Sequence, residues 1–400
     1  MRIKLKGLLA CCILSIFCQP ALSQNSDSLE MYTLWSGGAI PKSADLQELS
    51  HVRFRTIKKF EPEVDGYRFL HGLTIDRYHK RWVATFGHNK GPENTGTEEA
   101  QSTFSKNLRK WSKVNTIANP KGDLAVSHGV LLVHKDTLWS FNGSFNGIMK
   151  SLHTRAYTWD EAAGKWIFQG IVAAGNFWPL QQPQQMANGE WIMAGAVIGG
   201  KNPPAVAICK NGDFRHWEIH KVTTPVSVWG ESSVIIDGAE VLLISRSAGN
   251  TPKFEGHSHP LAWVAHSSDY GHSWSELQPS NLPMAASKPY AGTLSTGQRY
   301  LIGSSSADSK NARNPLTIAV SKAGEKTFSK IYCIRRAVHK KGKVESSPKA
   351  SLAYPYAIEH KGKLYVVYSN SGGRTGNGRA YWNNNSAELA IIPIKELQVP

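Results

Sequence analysis

Arg68, His71 and His88 fall in one short segment, and His128, His153 and Arg155 follow further along. Together with tyrosine, these residue types suit acid-base work on an acidic sugar. Arginine neutralises a carboxylate, histidine or tyrosine removes the α-proton, and another group protonates the departing oxygen. On a uronic acid this is elimination, by a lyase if a sugar leaves and by a dehydratase if hydroxide leaves. Each histidine taken singly also reads as a loop or strand residue satisfied by backbone. Trp178, Trp229 and Tyr290 offer faces on which a sugar ring can stack, against the plainer reading of packing within the fold. Lys288, after Ser287 and before Tyr290, is a pocket-loop candidate on position alone. His257 and His259 lie in a Gly/Pro-bounded loop and read as exposed rather than metal-binding. No phosphate loop, dinucleotide motif or Ser-His-Asp order is present, so no cofactor or metal is expected.

The charge narrows the substrate. The chain carries a formal +16, dispersed rather than gathered in runs. Arg2, Lys4 and Lys6 precede an apolar stretch from Leu8 to Cys18, and Ala21, Leu22 and Ser23 form a small-residue cleavage site. Residues 1–23 therefore read as a secretory signal whose apolar stretch is too short to span a bilayer, which predicts export to the periplasm or outside the cell. Cys11 sits too early in the stretch to mark a lipid anchor. The remaining 24–400 keeps +13 once those three cations are removed. An exported protein so basic suits a polyanion, and without a nucleic-acid motif the expected partner is an acidic glycan or polysaccharide. No other segment is apolar enough to cross a membrane. Only Cys209 and Cys333 remain of five cysteines, too few for a disulfide framework and wrongly spaced for zinc.

The elements that must position these groups show as a repeat. Thirty-five Gly, twenty Pro and thirteen Trp, with 41% apolar residues, suit an all-β chain with many turns. Ser267, Asp269, Gly271, Ser273 and Trp274 spell S-x-D-x-G-x-S-W, a tight turn in which Asp bonds backbone amides and Trp packs beneath. Weaker copies run from Ser321 to Phe328, Ser105 to Trp111, Cys209 to Trp217 and Tyr157 to Trp166. The closing aromatics Trp111, Trp166, Trp217, Trp274, Phe328 and Trp382 recur at intervals of 55, 51, 57, 54 and 54. Four short strands fit each interval, and six intervals fit the chain. The expectation is one domain, a six-bladed β-propeller with its site where loops of several blades meet on the axis.

The S-x-D-x-G-x-S-W turn is the Asp box, and through it the chain resembles the sialidase superfamily of Asp-box propellers. Tyr67 and Arg68 resemble the family segment bearing the first of three carboxylate-holding arginines. Trp229, Gly230 and Glu231 with Arg246 resemble its catalytic glutamate and second arginine, and Arg313 falls where the third belongs. The segment from Ala353 to Tyr368 resembles the one carrying the nucleophilic tyrosine, matched by Tyr354 with Tyr356 as rival. The resemblance implies that Arg68, Arg246 and Arg313 clamp a carboxylate through paired hydrogen bonds. Tyr354 would attack, with Glu231 taking its proton.

One position departs from the family. Asn94 aligns with the acid/base aspartate, and an amide cannot donate a catalytic proton; Glu93, Glu98 and His88 are the nearby substitutes. The leading expectation is an exo-acting glycoside hydrolase of sialidase type, with Tyr354 and Glu231 reacting and Arg68, Arg246, Arg313, Asn94 and Trp229 holding the sugar. The alternatives are a lyase or dehydratase on uronate-containing polysaccharide using His71 and His88, and a propeller that binds glycans without chemistry.

Overall fold

The structure, a computed structural model, describes residues 31–248, 260–338, 350–371 and 386–399. The signal segment 1–23 with Cys11, the pair His257 and His259, and Trp382 lie outside the described residues. Among the described residues the regular structure is almost all strand, in six mainly antiparallel sheets that follow one another along the sequence.

Each sheet is a blade whose first strand lies innermost. These innermost strands are Phe69–Tyr78, Leu124–His134, Phe177–Pro179, Ser232–Asp237, Tyr290–Thr293 and Ser351–His360, for blades 1 to 6. The ring closes through the beginning of the chain: Arg53–Lys58 supplies the outer strand of blade 6, pairing antiparallel with Ser386–Pro393. Radial repetition of this kind leaves each blade only a short outer edge. Gln47–Glu48 adds a short parallel strand to the rim of blade 5.

Among the described residues Trp111, Trp217, Trp274 and Phe328 fall at the connection between third and fourth strands of their blades, and Trp166 at the start of the fourth strand of blade 2. In blade 4 the Asp box makes the expected bonds. Ser273 N–H and Oγ donate to the Asp269 carboxylate at 2.9 and 2.6 Å, and Gly271 N–H reaches Ser267 Oγ at 2.9 Å. Gly271 takes φ +85°, which a Cβ would resist, and Trp274 Nε1 closes the turn on the Gly271 carbonyl. These bonds depress the Asp269 carboxyl to about 2, the Ser273 hydroxyl contributing most. Blade 1 makes the same kind of turn with Asn107, whose Oδ1 accepts from Arg109 N–H at 2.9 Å.

Between blades the core is aromatic. Trp139, Phe141, Phe214 and Trp217 pack where blades 2 and 3 meet, and truncating one such residue costs about 3–5 kcal/mol. Near the axis the ties are polar. Buried Gln181 donates to the carbonyls of Val234 and Ala291 and accepts from Val234 N–H, joining blades 3, 4 and 5.

Three innermost strands break register at the same end of the ring. The shifts lie between His71 and Thr74, between Val126 and Gly129, and between Ala353 and Tyr356. A bulge re-aims the side chains beside it, and these three turn His71, His128 and Tyr354 toward the cavity that opens there.

Candidate active site

A cavity of about 560 Å³ opens at that end of the ring, walled by residues from all six blades. Its most tightly bonded polar cluster comes from two of them. Glu231 directly precedes the innermost strand Ser232–Asp237, and Arg246 directly follows the paired strand Glu240–Ser245, so one hairpin brings both to the same end. Arg246 Nη1 lies 2.5 Å from Glu231 Oε2 and 3.0 Å from Tyr354 Oη, and the Tyr354 hydroxyl donates to Glu231 Oε1. The result is a closed triangle of phenol, carboxylate and guanidinium. Tyr354 reaches it from a left-handed backbone, φ +56°, at the bulge of blade 6.

Burial raises the Tyr354 phenol well above its ordinary range, and the Glu231 charge adds to this while Arg246 and Arg313 oppose it. The resting tyrosine is therefore neutral, its proton already pointed at a carboxylate. Burial disfavours the Arg246 charge, but Glu231 and Tyr354 more than offset this and hold the guanidinium firmly charged. Arg313 donates to the Ala286 carbonyl at 2.9 Å, with its Cζ 5.8 Å from the Tyr354 ring. Two guanidinium groups thus flank the phenol on the cavity side, which suits a carboxylate ligand.

His71 packs against Tyr354 at 3.7 Å between ring centroids. Burial lowers it well below the ordinary histidine range, reinforced by His128, Arg313, Arg246 and Lys288, so the ring is neutral. Its Nε2 lies 4.0 Å from Glu93 Oε1. Glu93 and Asn94 both line the cavity from the loop between the second and third strands of blade 1. Of the three substitutes considered for the acid, only Glu93 faces the cavity. Glu98 is buried behind it, bonded to Ser127, and His88 is turned elsewhere.

Two expected site residues do not join the others. Arg68 is exposed and does not line the cavity; Phe69 and His71, the alternate residues along its strand, take that wall. Of the three arginines expected at the cavity, Arg246 and Arg313 line it. His88 is buried inside blade 1, its Nδ1 2.8 Å from Gln101 Oε1 and its ring stacked 3.8 Å from Tyr67, and it does not reach the cavity. His153 bonds the Ser151 carbonyl, Arg155 lies over Phe168, and Tyr290 packs in the core against Tyr356. Tyr356 itself donates to Gln182 Oε1 at 2.6 Å and stands away from the cavity, so Tyr354 is the tyrosine of the site.

Trp229 stands at the cavity wall, 39% exposed, with Arg246 Cζ 5.8 Å from its ring. Trp178 also lines the cavity but is buried, its Nε1 donating to the His128 carbonyl at 3.1 Å. Lys288 had only its position to recommend it. It is buried beneath the bulge, where Nζ donates to the carbonyls of Pro355 at 2.8 Å and Leu180 at 3.3 Å, and burial lowers it to about 7. It braces the segment that presents Tyr354. Phe69, Met149 and Ile198 line the cavity without any chemical signature in the sequence to announce them. Among the described residues no group of three or more His, Cys, Asp or Glu is placed to hold a metal, and no helix is long and apolar enough to cross a membrane.

No curated protein matches the sequence. Solved structures share the fold at low identity. A protein of unknown function from Dyadobacter fermentans is 14% identical, with a TM-score of 0.60 over 85% of this chain and 98% of its own. Hadza microbial sialidase Hz136 is 13% identical, TM-score 0.61, over 85% of this chain and 68% of its own. Trypanosoma rangeli sialidase in complex with sialic acid is 14% identical, TM-score 0.59, over 88% of this chain and 60% of its own. The family model for the BNR repeat-like domain matches residues 86–366, most of the six-bladed ring with Glu231, Arg246 and Tyr354 inside it, and the chain accordingly belongs to that family.

Proposed function

We propose that the protein is an exported, exo-acting glycoside hydrolase that removes a carboxylate-bearing sugar from an acidic glycan through a tyrosyl-enzyme intermediate. The observation that carries the reading is the triangle of Tyr354, Glu231 and Arg246. In the first step Tyr354 Oη attacks the anomeric carbon while its proton passes to Glu231. The bond to the departing oxygen breaks, and Glu93 supplies that oxygen with a proton. In the second step water, deprotonated by Glu93, attacks the same carbon, and the phenolate leaves and recovers its proton from Glu231. Arg246 and Arg313 hold the sugar carboxylate, and Trp229 offers a ring face.

A phenol attacking without a base would have to shed its proton into a poorly solvated pocket. The bond to Glu231 removes that obstacle, and Arg246 spreads the resulting charge over two partners. General-base assistance of this kind contributes about 10²–10⁴-fold.

A second reading rests on His71, whose neutral ring lies against Tyr354. In elimination on a uronate His71 would take the α-proton and Tyr354 would protonate the departing oxygen.

One experiment separates the two. The protein is incubated with sialylated and uronate-rich oligosaccharides, and the products are weighed. Products heavier in sum than the substrate by one water support hydrolysis. Unsaturated, ultraviolet-absorbing fragments without added water move the reading to elimination. A fluorinated sugar that traps the intermediate should label Tyr354, and Tyr354→Phe should lose both label and turnover. Retained hydrolysis in that variant overturns the proposal.

A further inference from the structure

His128 lines the cavity from the bulge of blade 2 and is only 8% exposed. Its Nδ1 lies 3.1 Å from Ser127 Oγ, and the same hydroxyl is bonded to Glu98 Oε1. The other Glu98 oxygen accepts Asn94 N–H at 3.2 Å. His128 Nε2 is buried without a hydrogen-bond partner among the described residues. The ring therefore has one nitrogen tied to a carboxylate through a hydroxyl and one polar atom left for a ligand.

Close backbone approaches make room for this arrangement. A Cβ on Gly72 would lie 2.0 Å from the His128 ring, so that ring seats directly over a bare backbone with φ +63°. A Cβ on Gly87 would lie 2.8 Å from Glu98 Oε1 and 3.2 Å from Ser127 Oγ. The missing side chain at Gly87 is what lets a carboxylate on blade 1 reach a hydroxyl on blade 2. Asn142 Nδ2 holds the Ser127 carbonyl at 2.9 Å, and Trp178 holds that of His128.

We propose that Glu98 and Ser127 form a proton relay that fixes the tautomer of His128, making this imidazole a hydrogen-bonding residue for a substrate hydroxyl. The substrate contact rests on the glycosidase reading above; the relay does not. Ser127 has one proton to give. With Glu98 charged, Ser127 donates to the carboxylate and accepts from His128 Nδ1–H, leaving Nε2 as an acceptor. With Glu98 protonated, the carboxyl donates to Ser127 Oγ and Ser127 donates to Nδ1. The ring proton then sits on Nε2, which becomes a donor. The imidazole carries one proton in both states, and the proton gained resides on Glu98.

The surrounding charges support a switch of tautomer rather than of charge. Burial raises Glu98 to about 7, Ser127 and the Asn94 amide opposing and Glu93 assisting. Burial lowers His128 to about 3, with Lys288 acting in the same direction. His71 and Tyr354 complete the titratable groups around the ring, with centroids at 5.9 and 6.0 Å. Near neutral pH Glu98 titrates while His128 stays uncharged.

The test is nitrogen nuclear magnetic resonance on the intact protein labelled at histidine, with the His128 signals assigned by their loss in His128→Gln. Above about pH 7 the expected pattern is a protonated Nδ1 and a bare Nε2, inverting below it. Ser127→Ala and Glu98→Gln should each abolish the inversion, the second because a glutamine does not titrate. An unchanging pattern in the wild type, or an inversion that survives both substitutions, overturns the relay. These spectra need no turnover, so they decide the relay even if no glycan is hydrolysed. On a hydrolysed substrate, His128→Phe, which has no polar side-chain atom, should raise KM about tenfold with kcat kept, the loss of one good hydrogen bond; an unchanged KM overturns the substrate contact.

Discussion

Removing the Arg246 charge should destabilise the folded protein far more than removing it together with its partner. The side chains of Arg246 and Glu231 are 12% and 13% exposed and meet at 2.5 Å. Arg246→Met keeps the aliphatic stem but strands the Glu231 carboxylate among buried groups. Breaking a buried pair from one side costs about 3–5 kcal/mol. Because the cavity admits solvent on one side, the lower figure applies, about 3 kcal/mol. Glu231→Gln alone should cost less, since its amide oxygen can still accept from Arg246 while its NH2 group donates to the Tyr354 oxygen. In the double variant no charge is stranded, and about 2 kcal/mol of the Arg246→Met loss should return. Urea unfolding at pH 7, followed by tryptophan fluorescence with the denaturant slope held constant, measures all four proteins. If the double variant is no more stable than Arg246→Met, the stranded-charge argument is wrong. If Arg246→Met unfolds like the wild type, the ion pair itself contributes nothing.

Glu93→Gln should lower kcat by about 10²–10⁴-fold on glycosides with a poor leaving group, and much less on activated aryl glycosides that need no proton; equal losses on both would remove Glu93 from the acid's role. Trp229→Ala should raise KM about tenfold with kcat nearly kept, as expected for an exposed ring that binds without reacting. Asp269→Ala removes the bonds to Ser273 and should cost about 1–2 kcal/mol in urea unfolding at pH 7. Because the folded Asp269 carboxyl is depressed from 3.8 to about 2, that advantage is fully present above about 4 and fades as pH falls toward 2. Glu98 has the opposite sign. Its folded value is raised from 4.5 to about 7, so the wild type should lose stability relative to Glu98→Gln as pH rises through that range. A constant difference between the two would show that Glu98 titrates normally in the fold.

The blades were legible because their signal is periodic and local. Among the described residues each closing aromatic sits in, or just after, the connection between third and fourth strands, and the chain advances one blade per interval, so the spacing reads directly as architecture. Glu231 and Arg246 were singled out only by their resemblance to the family; the ion pair between them follows from the hairpin whose ends they occupy. The face on which an innermost strand presents its side chains is another matter. Arg68 and His71 differ in parity, and a strand shows alternate residues to opposite sides, so placing the cavity wall at Phe69 and His71 excludes Arg68. Nothing in the composition of that segment fixes the phase.

Tyr354 and Tyr356 show why phase alone is also insufficient. Two apart in a regular strand, they would point to the same face. The bulge separates them, with Tyr354 at φ +56° turned into the cavity and Tyr356 buried against Gln182. A tyrosine is not a residue that local preference would place in left-handed backbone, so the surrounding packing must impose it, including the Lys288 bond to the Pro355 carbonyl. The neighbouring loop reverses that logic. Asn94, which aligns with the family's acid, also has left-handed backbone at φ +60°, a conformation asparagine accepts readily. Its amide N–H binds the buried Glu98. The amide side chain is therefore suited to shaping the turn, and the carboxylate facing the cavity is one residue earlier, at Glu93. Aligning the motif by residue type finds the loop, while backbone conformation decides which of its carboxylates faces the cavity.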